Sequence, residues 1–329
     1  MNTPEHHTCP GRPEPGSWSG HATPTDRGGL SVWATGQRPA PTQRGHRYPA
    51  AAHPARMLPE IAATAITALT QPGDLVLDPL CGGGTTLIEA LYLDRAAVGI
   101  DIDPHWAAAT RTNITHAYHL GVGGHAHVIT ADAQRLPDAL PPDYLDQIRG
   151  RVTLLLTGWP AGPPTHSHPS AGPNLTYQPP RRVAAAMATI LRGAAPLMAP
   201  DSHIVITGRA WREHGELVDL PALITDTLDR AGMLPVQRCV ALLAGIRDDE
   251  LVTRASRYHR VTVARARAAG AHWHLPCTQE IILARPPAGG TRRARTTRPT
   301  PPPTASGTTV VGGVGTGGGG VGSGSGGRR

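Results

Sequence analysis

Three aspartates and a run of glycines are the residues of this sequence whose types and spacing best fit a binding site. Asp78 precedes the glycines at 82–84, Asp101 lies 19 residues beyond Gly82, and Asp132 follows another apolar run. Carboxylates accept hydrogen bonds from sugar hydroxyls and from base amino groups. Glycines let the backbone approach a ligand closely. The pattern therefore indicates a pocket for a nucleotide or a nucleoside.

Two phosphate-binding motifs do not fit the glycine run. A P-loop requires Gly-Lys-Ser or Gly-Lys-Thr, whereas Gly84 is followed by Thr85-Thr86 and the chain contains no lysine. The dinucleotide fingerprint GxGxxG is matched at Gly82 and Gly84, but Leu87 stands where its third glycine belongs. We therefore expect a nucleoside without phosphates, whose ribose and adenine are held by the three carboxylates.

The glycine run lies between a predicted strand and a predicted helix, in a chain where apolar strands and helical patterns alternate. Such alternation is typical of an α/β, doubly wound, Rossmann-like sheet that is mostly parallel, with helices on both faces. The last two predicted strands have no clear helix between them, which suggests an antiparallel hairpin at one edge. The predicted strands are 75–77, 96–100, 127–130, 152–157, 203–207, 236–244 and 280–284, and the predicted helices include 57–69, 183–191 and 220–232.

The segment DPLCGGGTT, residues 78–86, resembles the first motif of S-adenosylmethionine-dependent amino-methyltransferases, and in particular that of the DNA N-4/N-6 methylase family. VGIDIDP (98–104) and ADAQRLP (131–137) are similar to the second and third motifs, and HPARMLPE (53–60) is similar to a His-Pro segment of the family. The resemblance implies a class I methyltransferase fold, S-adenosyl-L-methionine as the cofactor and a nucleic acid as the partner. The cofactor-binding residues that it implies are His53, Pro54, Asp78, Pro79, Gly82, Gly84, Thr85, Asp101 and Asp132.

The fourth motif, which carries the chemistry in this family, departs from the expected pattern. In the family the fourth strand ends in Asp, Asn or Ser, then Pro-Pro and an aromatic residue, which bind the target amine and stack on the extruded base. Here the catalytic positions are Gly158, Trp159, Pro160 and Ala161, so the first lacks a side-chain acceptor and the last lacks a ring. Either Trp159 supplies the ring while backbone carbonyls bind the amine, or efficient methyl transfer has been lost.

We expect methyl transfer to an exocyclic amine of a nucleic-acid base, with DNA rather than RNA as the partner and adenine N6 or cytosine N4 as the target. Two alternatives stay open: a catalytically impaired relative that binds S-adenosylmethionine, and a tRNA or rRNA guanine-N2 methyltransferase. The arginine-rich segment 254–267 is interpreted either as a solvated helix face or as a surface that contacts phosphates. Its candidate nucleic-acid-binding residues are Arg254, Arg257, Tyr258 and Arg260.

Charge and composition separate a folded body from two polar ends. The net charge is +7, but residues 285–329 hold seven arginines and no acid, which leaves 24 arginines and 24 acids in the rest. Residues 1–47 contain few aliphatic side chains, and 286–329 consist of a Pro/Arg stretch followed by a Gly/Ser-rich stretch. We therefore expect disorder in both ends and a methyltransferase domain over 48–285.

Four cysteines without CxxC spacing, and the lack of any run of about 18 apolar residues, predict a soluble cytoplasmic protein. His166 and His168 follow the fourth strand, but the sequence offers no evident third ligand, so we expect no metal site.

Overall fold

The computed structural model describes residues 29–50, 57–160, 174–175, 178–213 and 215–287. The chain divides into two units, Met1–Gly290 and Thr291–Arg329, and every described residue lies in the first. Among the described residues, no helix combines the length and the apolar character needed to cross a membrane.

Eight strands form the central sheet, and seven of them run in the same direction. Each neighbouring pair is parallel except the two pairs that the last strand of the chain makes with its neighbours. The predicted doubly wound, mostly parallel sheet with antiparallel pairing towards one edge is therefore confirmed. From edge to edge the strands are β4 (Ala126–Thr130), β3 (Ala96–Asp101), β2 (Leu75–Asp78), β5 (Val152–Gly158), β6 (Met198–Gly208), β12 (Thr278–Arg285), β9 (Leu234–Leu242) and β1 (Val32–Trp33).

Helices cover both faces of this sheet because successive strand residues point to opposite sides. On one face, Val76 and Leu154 are buried together with Leu87 and Ile88, and on the other Leu77 is buried with a second set of helical side chains. The first face is covered by α2 (Pro59–Leu69), α3 (Thr85–Tyr92) and α4 (Pro104–His119), and the second by α6 (Pro180–Ala194) and α7 (Leu220–Ala231).

Helix boundaries follow local signals in the sequence. The carboxylate of Asp103 accepts a hydrogen bond from the His105 backbone N–H at 2.9 Å, and Pro104 begins α4. Gly232, with φ at 80°, ends α7. These signals fix where the chain leaves each strand and hence which residues lie at the carboxyl edge of the sheet.

The prediction that no clear helix separates the last two strands of the sheet is wrong, because the connection between β9 and β12 contains both a hairpin and a helix. The two strands pair in antiparallel fashion, but they are separated by a hairpin of β10 (Gly245–Arg247) and β11 (Glu250–Val252) and by α8 (Arg257–Ala268). The remaining elements are α1 (Ala40–Arg44), α5 (Pro142–Ile148) and a second short hairpin of β7 (Arg212–Glu213) and β8 (Glu216–Leu217).

The predicted disorder of residues 1–47 is wrong for residues 29–47. Strand β1 pairs in parallel with β9, and Trp33 is only 4% exposed. The buried amide of Gln43 donates to the carbonyls of Thr35 and Arg38 at 2.8 and 2.7 Å, and its oxygen accepts from the Glu60 N–H at 3.0 Å. Few aliphatic residues suffice here because the segment docks onto an existing sheet edge instead of building its own core. Residues 1–28 lie outside the described part of the chain.

Candidate active site

A cleft opens at the carboxyl ends of the central parallel strands. All three predicted carboxylates, Asp78, Asp101 and Asp132, line it, together with the backbone of the glycine turn. Residues 158–160, at the end of β5, form part of the same lining. The structure thus brings six of the predicted cofactor residues, Asp78, Pro79, Gly82, Thr85, Asp101 and Asp132, to one cavity with the end of β5.

The glycine turn has a backbone conformation that needs glycine. Gly82 has φ at 50° and Gly84 has φ at 80°, and a Cβ added at Gly84 would lie 2.5 Å from the Cγ2 atom of Thr110. The Thr110 hydroxyl donates to the Gly82 carbonyl at 2.6 Å, and the Asn113 amide donates to the Gly83 carbonyl at 3.2 Å. Helix α4 therefore holds the turn from behind, while the turn faces the cleft.

Asp78 is a buried anchor as much as a cleft residue. Its Oδ2 accepts from the Thr86 hydroxyl at 2.6 Å, and its Oδ1 accepts from the Thr157 hydroxyl at 2.8 Å and from the Leu80 N–H at 3.1 Å. Burial raises the pKa of Asp78 to about 6, although these hydrogen bonds act in the opposite direction. The carboxylate thereby ties the end of β2 to α3 and to β5.

Asp101 links the end of β3 to the glycine turn. Its Oδ2 accepts from the Gly82 N–H at 2.8 Å, and its Oδ1 accepts from the Asp103 N–H at 2.8 Å. Burial raises the pKa of this carboxyl, and the two backbone hydrogen bonds counteract that rise. A carboxylate has about four lone-pair sites, so Asp101 keeps capacity to accept hydrogen bonds from a ligand in the cleft.

The third acid lies on the far side of the cleft from β5. Asp132 begins a short 3₁₀ helix, Ala133–Arg135, and its Oδ1 accepts from the Gln134 N–H at 2.9 Å. The side chain is partly exposed, and Gln134 also lines the cleft. Sequence reasoning did not identify Gln134.

Apolar side chains complete the cofactor half of the cleft. Ile102 and Trp106 follow β3, and Met57 precedes α2; all three line the cavity. The Trp106 ring contacts the His105 ring edge-on, with 4.7 Å between centroids. Acids at the strand ends beside apolar surface match the polar sugar and the flat ring of a nucleoside.

Arg47 and Tyr48 are tied to α3 by a buried acid that sequence reasoning missed. Glu89, inside the largely buried α3, accepts from the Tyr48 hydroxyl at 2.7 Å and forms an ion pair with Arg47 at 3.1 Å. A guanidinium N–H of Arg44 donates to the Met57 carbonyl at 2.6 Å. The sequence signal that could have identified Glu89 is an acidic residue on a buried face of a helix. The predicted residues His53 and Pro54 lie outside the described residues.

The end of β5 differs from a typical amine-binding motif in structure as well as in sequence. The Thr157 hydroxyl is already bonded to Asp78, and a Cβ added at Gly158 would meet none of the described atoms within 4 Å. Trp159 is only 6% exposed and packs in the core with most of its surface, which leaves little of its ring facing the cleft. Its buried Nε1 has no hydrogen-bond partner among the described atoms. Pro160 lines the cleft, and Ala161 lies outside the described residues.

A short piece of the connection between β5 and α6 also reaches the cleft. Asn174 and Leu175 line it beside residues 158–160. Leu175 packs against the core cluster that contains Trp159. Nothing in the local sequence marked Asn174, because its nearness to Gly158 depends on how a long connection returns to the sheet.

Of the four predicted nucleic-acid-binding residues, Arg254, Arg257 and Arg260 have different surroundings, and these three do not line the cleft. The Arg254 guanidinium donates to the Gly36 and Gln37 carbonyls at 3.4 and 3.0 Å, so two of its nitrogens hold the N-terminal segment. Arg257 and Arg260 lie exposed at the start of α8. The side chain of Tyr258 lies outside what the structure describes.

The sheet order, the glycine turn between β2 and α3, and the acids after β2, β3 and β4 define a Rossmann-like domain of the S-adenosylmethionine-dependent methyltransferase class. Residues 14–111 match the family model of DNA methylases. The predicted resemblance is confirmed over that segment, where this chain is similar to the DNA N-4/N-6 methylase family. The match ends before the fourth motif.

Curated relatives with similar segments include both DNA and tRNA enzymes. The chain is 43% identical over 63 residues to tRNA (guanine(10)-N2)-dimethyltransferase of Methanocaldococcus jannaschii, a stretch that covers 19% of this chain and 18% of that protein. It is 36% identical over 93 residues to the type II methyltransferase M.XycI of Xanthomonas campestris pv. cyanopsidis, which covers 27% of this chain and 28% of the relative. The chain thus spans less than a third of the length of these relatives.

Solved structures with a similar chain course include TrmN from Thermus thermophilus, with a TM-score of 0.44, 20% identity, and coverage of 74% of this chain and 53% of that one. Precorrin-6y C5,15-methyltransferase from Geobacter metallireducens has a TM-score of 0.43 and 13% identity. The similarity covers 74% of this chain and 94% of that one.

Proposed function

We propose that this protein is an S-adenosylmethionine-dependent methyltransferase that acts on an exocyclic amine of a base in DNA, at adenine N6 or cytosine N4. The observation that carries the proposal is the single cleft that joins Asp101 and Asp132 to the end of β5. A methyl donor and an acceptor amine must meet in one cavity for transfer to occur.

The cofactor half of the cleft suits the nucleoside part of S-adenosylmethionine. Asp101 would accept hydrogen bonds from the ribose hydroxyls, and Asp132 would accept from the adenine amine. Pro79, Gly82 and Thr85 bring the turn against the ligand, while Gly84 keeps the turn in its left-handed conformation. Asp78 holds β2, α3 and β5 together beneath them. When bound, S-adenosylmethionine supplies an electrophilic methyl group on a sulfonium.

The catalytic half works by positioning, since an electrophilic methyl group requires no strong base. The Pro160 carbonyl is one candidate acceptor for the amine, and Trp159, which lines the cleft but is only 6% exposed, is one candidate contact for the base. Gly158 contributes space and no side-chain acceptor. This half is therefore the weaker part of the site, and slow transfer is expected if backbone groups alone bind the amine.

DNA is favoured over RNA by the match to the DNA methylase family and by the type II methyltransferase relatives. The second candidate, a tRNA guanine-N2 methyltransferase, is supported by the 43% identity to the archaeal tRNA enzyme. Exposed arginines on α8, including Arg257 and Arg260, are proposed to contact the phosphates of either nucleic acid. Cys81, Cys239 and Cys277 are free thiols, in keeping with a proposed cytoplasmic location.

The test is transfer of a labelled methyl group from S-adenosylmethionine to unmethylated genomic DNA and, in parallel, to unmodified total RNA. Label in DNA at N6-methyladenine or N4-methylcytosine is the expected result. Label only in RNA, at guanine N2, supports the second candidate. Cofactor binding without label in either nucleic acid contradicts both enzyme functions and leaves a cofactor-binding relative.

A further inference from the structure

A guanidinium lies at the end of β6, next to the strand end that forms the catalytic half of the cleft. Arg209 directly follows β6, and Gly158 at the end of β5 pairs with Thr207 in the parallel register. The Trp159 N–H also donates to the Thr207 carbonyl at 2.7 Å. Paired residues of neighbouring strands point to the same face of a sheet, as do residues two apart along one strand. Arg209 therefore stands on the same face as the place where a side chain at position 158 would lie.

The direction of the Arg209 side chain is set by a buried amide. The Oε1 atom of Gln279, near the start of β12, accepts from Nε of Arg209 at 3.3 Å. The Nε2 atom of Gln279 donates to the Thr207 hydroxyl at 2.5 Å, and both Gln279 and Thr207 are buried. Two buried polar groups thus hold a guanidinium that belongs to a solvent-exposed residue.

The positive charge of Arg209 has no carboxylate partner within the described part of the chain, where the ion pairs involve other arginines. Partial burial lowers the pKa of its guanidinium, and no described acid acts in the opposite direction. Because Nε donates to Gln279, the two terminal nitrogens keep their four N–H donors for a ligand. The residue is still exposed, so a ligand can reach these donors. A partly desolvated cation without a protein anion favours an anionic ligand.

The surroundings of Arg209 extend this positive charge towards α8. Burial and, after it, the charge of Arg209 lower the pKa of His259, so the guanidinium lies near the first turn of that helix. Arg257 and Arg260 are exposed in the same part of α8. Cationic side chains therefore run from the end of β6, beside the cleft, to the start of α8.

We propose that Arg209 is a phosphate-binding residue, which holds the backbone of the substrate strand beside the nucleotide whose base enters the cleft. This inference rests on the proposed nucleic-acid methyltransferase function. A guanidinium binds a phosphate through two parallel N–H···O bonds, and it has no acceptor atom with which to bind a target amine. Its charge also opposes the positive charge that develops on the methylated nitrogen. Arg209 therefore binds and positions the strand, and it does not assist methyl transfer itself.

The experiment compares four full-length proteins: wild type, Arg209→Ala, Arg209→Lys and Arg149→Ala. Arg149 is the matched control, because it is an exposed arginine between α5 and the start of β5, at the opposite edge of the sheet from the cleft. Three quantities are measured for each protein. They are S-adenosylmethionine affinity by calorimetry, filter binding of labelled genomic DNA fragments and of total RNA at several salt concentrations, and the single-turnover rate of methyl transfer at saturating nucleic acid.

Arg209→Ala is expected to bind its nucleic-acid substrate roughly 10-fold more weakly, since a hydrogen-bonded charge is lost. The slope of log affinity against log salt concentration should fall by about one, as for one lost phosphate contact. Cofactor affinity and the rate at saturation should stay near those of wild type. Arg209→Lys should keep the salt slope and lose part of the affinity, because lysine has the charge without the two-pronged geometry. Arg149→Ala should match wild type in all three measurements.

The outcomes separate this assignment from the proposed function. An active wild type, together with an Arg209→Ala protein that binds nucleic acid as Arg149→Ala does, overturns the phosphate site and leaves the methyltransferase function intact. A loss of cofactor affinity in Arg209→Ala, with Arg209→Lys no better, also overturns the phosphate site, because it indicates a structural role. A wild type whose nucleic-acid binding depends on Arg209, but which transfers no methyl group, supports the phosphate site and contradicts the proposed function. A wild type that binds neither DNA nor RNA overturns both proposals.

Discussion

The two halves of the cleft are built in different ways. The cofactor half comes from the continuous strand–turn–helix 75–92 and from the residues that follow β3 and β4, each held by short-range hydrogen bonds. The base half comes from the end of β5 and from Asn174, which lies 16 residues further along the chain. The first half has the conformation that its sequence motif implies. The second half depends on where the connection between β5 and α6 places Asn174, which no local motif determines. Changes in the first half should therefore affect stability and cofactor binding, and changes in the second should affect the rate.

The largest effect is expected at the glycine turn. Gly84→Ala places a Cβ 2.5 Å from Thr110 at a φ of 80°, so the variant should lose about 2–5 kcal/mol of unfolding free energy and most of its cofactor affinity. Urea unfolding measures the first and calorimetry the second. Gly121→Ala is the control, since Gly121 has φ at 77° and no atom within 4 Å; it should lose only about 1–2 kcal/mol. Equal losses in the two variants would mean that contact with Thr110 is not what requires glycine.

A pH-dependent effect is expected at Asp78. Burial raises its pKa from 3.8 to about 6, so the folded protein binds this proton more tightly than the unfolded chain does. The stabilisation that comes from the protonated carboxyl is complete at pH values below the pKa of Asp78 in the unfolded chain. It is lost as the pH rises through the pKa of Asp78 in the folded protein. Between about pH 4 and pH 7, wild type should therefore lose at most about 3 kcal/mol relative to Asp78→Asn, which does not ionise.

Urea unfolding of both proteins across that pH range measures this difference. At any one pH, the difference in unfolding free energy between the two proteins also includes the effect of the altered hydrogen bonds to Thr86 and Thr157. Only the change of this difference with pH therefore reports on the ionisation of Asp78. A difference that stays constant from pH 4 to pH 7 would contradict the raised pKa.

A smaller effect is expected where the N-terminal segment meets α3. Arg47→Ala removes an ion pair to Glu89, whose side chain is 4% exposed, and a cation–π contact with the Tyr92 ring at 4.1 Å. Because Arg47 is itself about one-third exposed, the expected loss of unfolding free energy is about 1–2 kcal/mol. Arg38→Ala removes a pair to Glu60 that is open to solvent and should cost less than about 0.5 kcal/mol. A ranking in the reverse order, measured by urea unfolding, would refute the anchoring role of Glu89.

The smallest effect on stability is expected at Gly158. Gly158→Ser adds a side chain into open space, so its unfolding free energy should change by less than about 0.5 kcal/mol. Its hydroxyl adds an acceptor at the base end, so the methyl-transfer rate should rise while cofactor affinity stays the same. A stable variant with no rise in rate would show that the glycine does not limit this half of the site.

The sequence predicted the sheet and the cofactor half because both depend on local patterns. Apolar runs marked every strand of the parallel core, and the spacing of Asp78, Asp101 and Asp132 followed from the ends of those strands. The ordered segment 29–47 was missed because its stability comes from docking Trp33 and Gln43 onto distant elements. The contact of Arg254 with this segment was missed for a similar reason, since its carbonyl partners lie more than 200 residues away in sequence. Asn174 gave no signal, because only the folded connection brings it to the cleft.

The most direct test of the account is calorimetric titration of S-adenosylmethionine into wild type, Asp101→Ala and Asp103→Ala. Asp103 caps α4 beside the site without lining the cleft, so it controls for local disturbance of the chain after β3. The account predicts that wild type binds, that Asp101→Ala binds about 5- to 150-fold more weakly, and that Asp103→Ala stays within about twofold of wild type. Wild-type affinity in Asp101→Ala, or no binding to the wild-type protein, would contradict the assignment of this cleft to the cofactor.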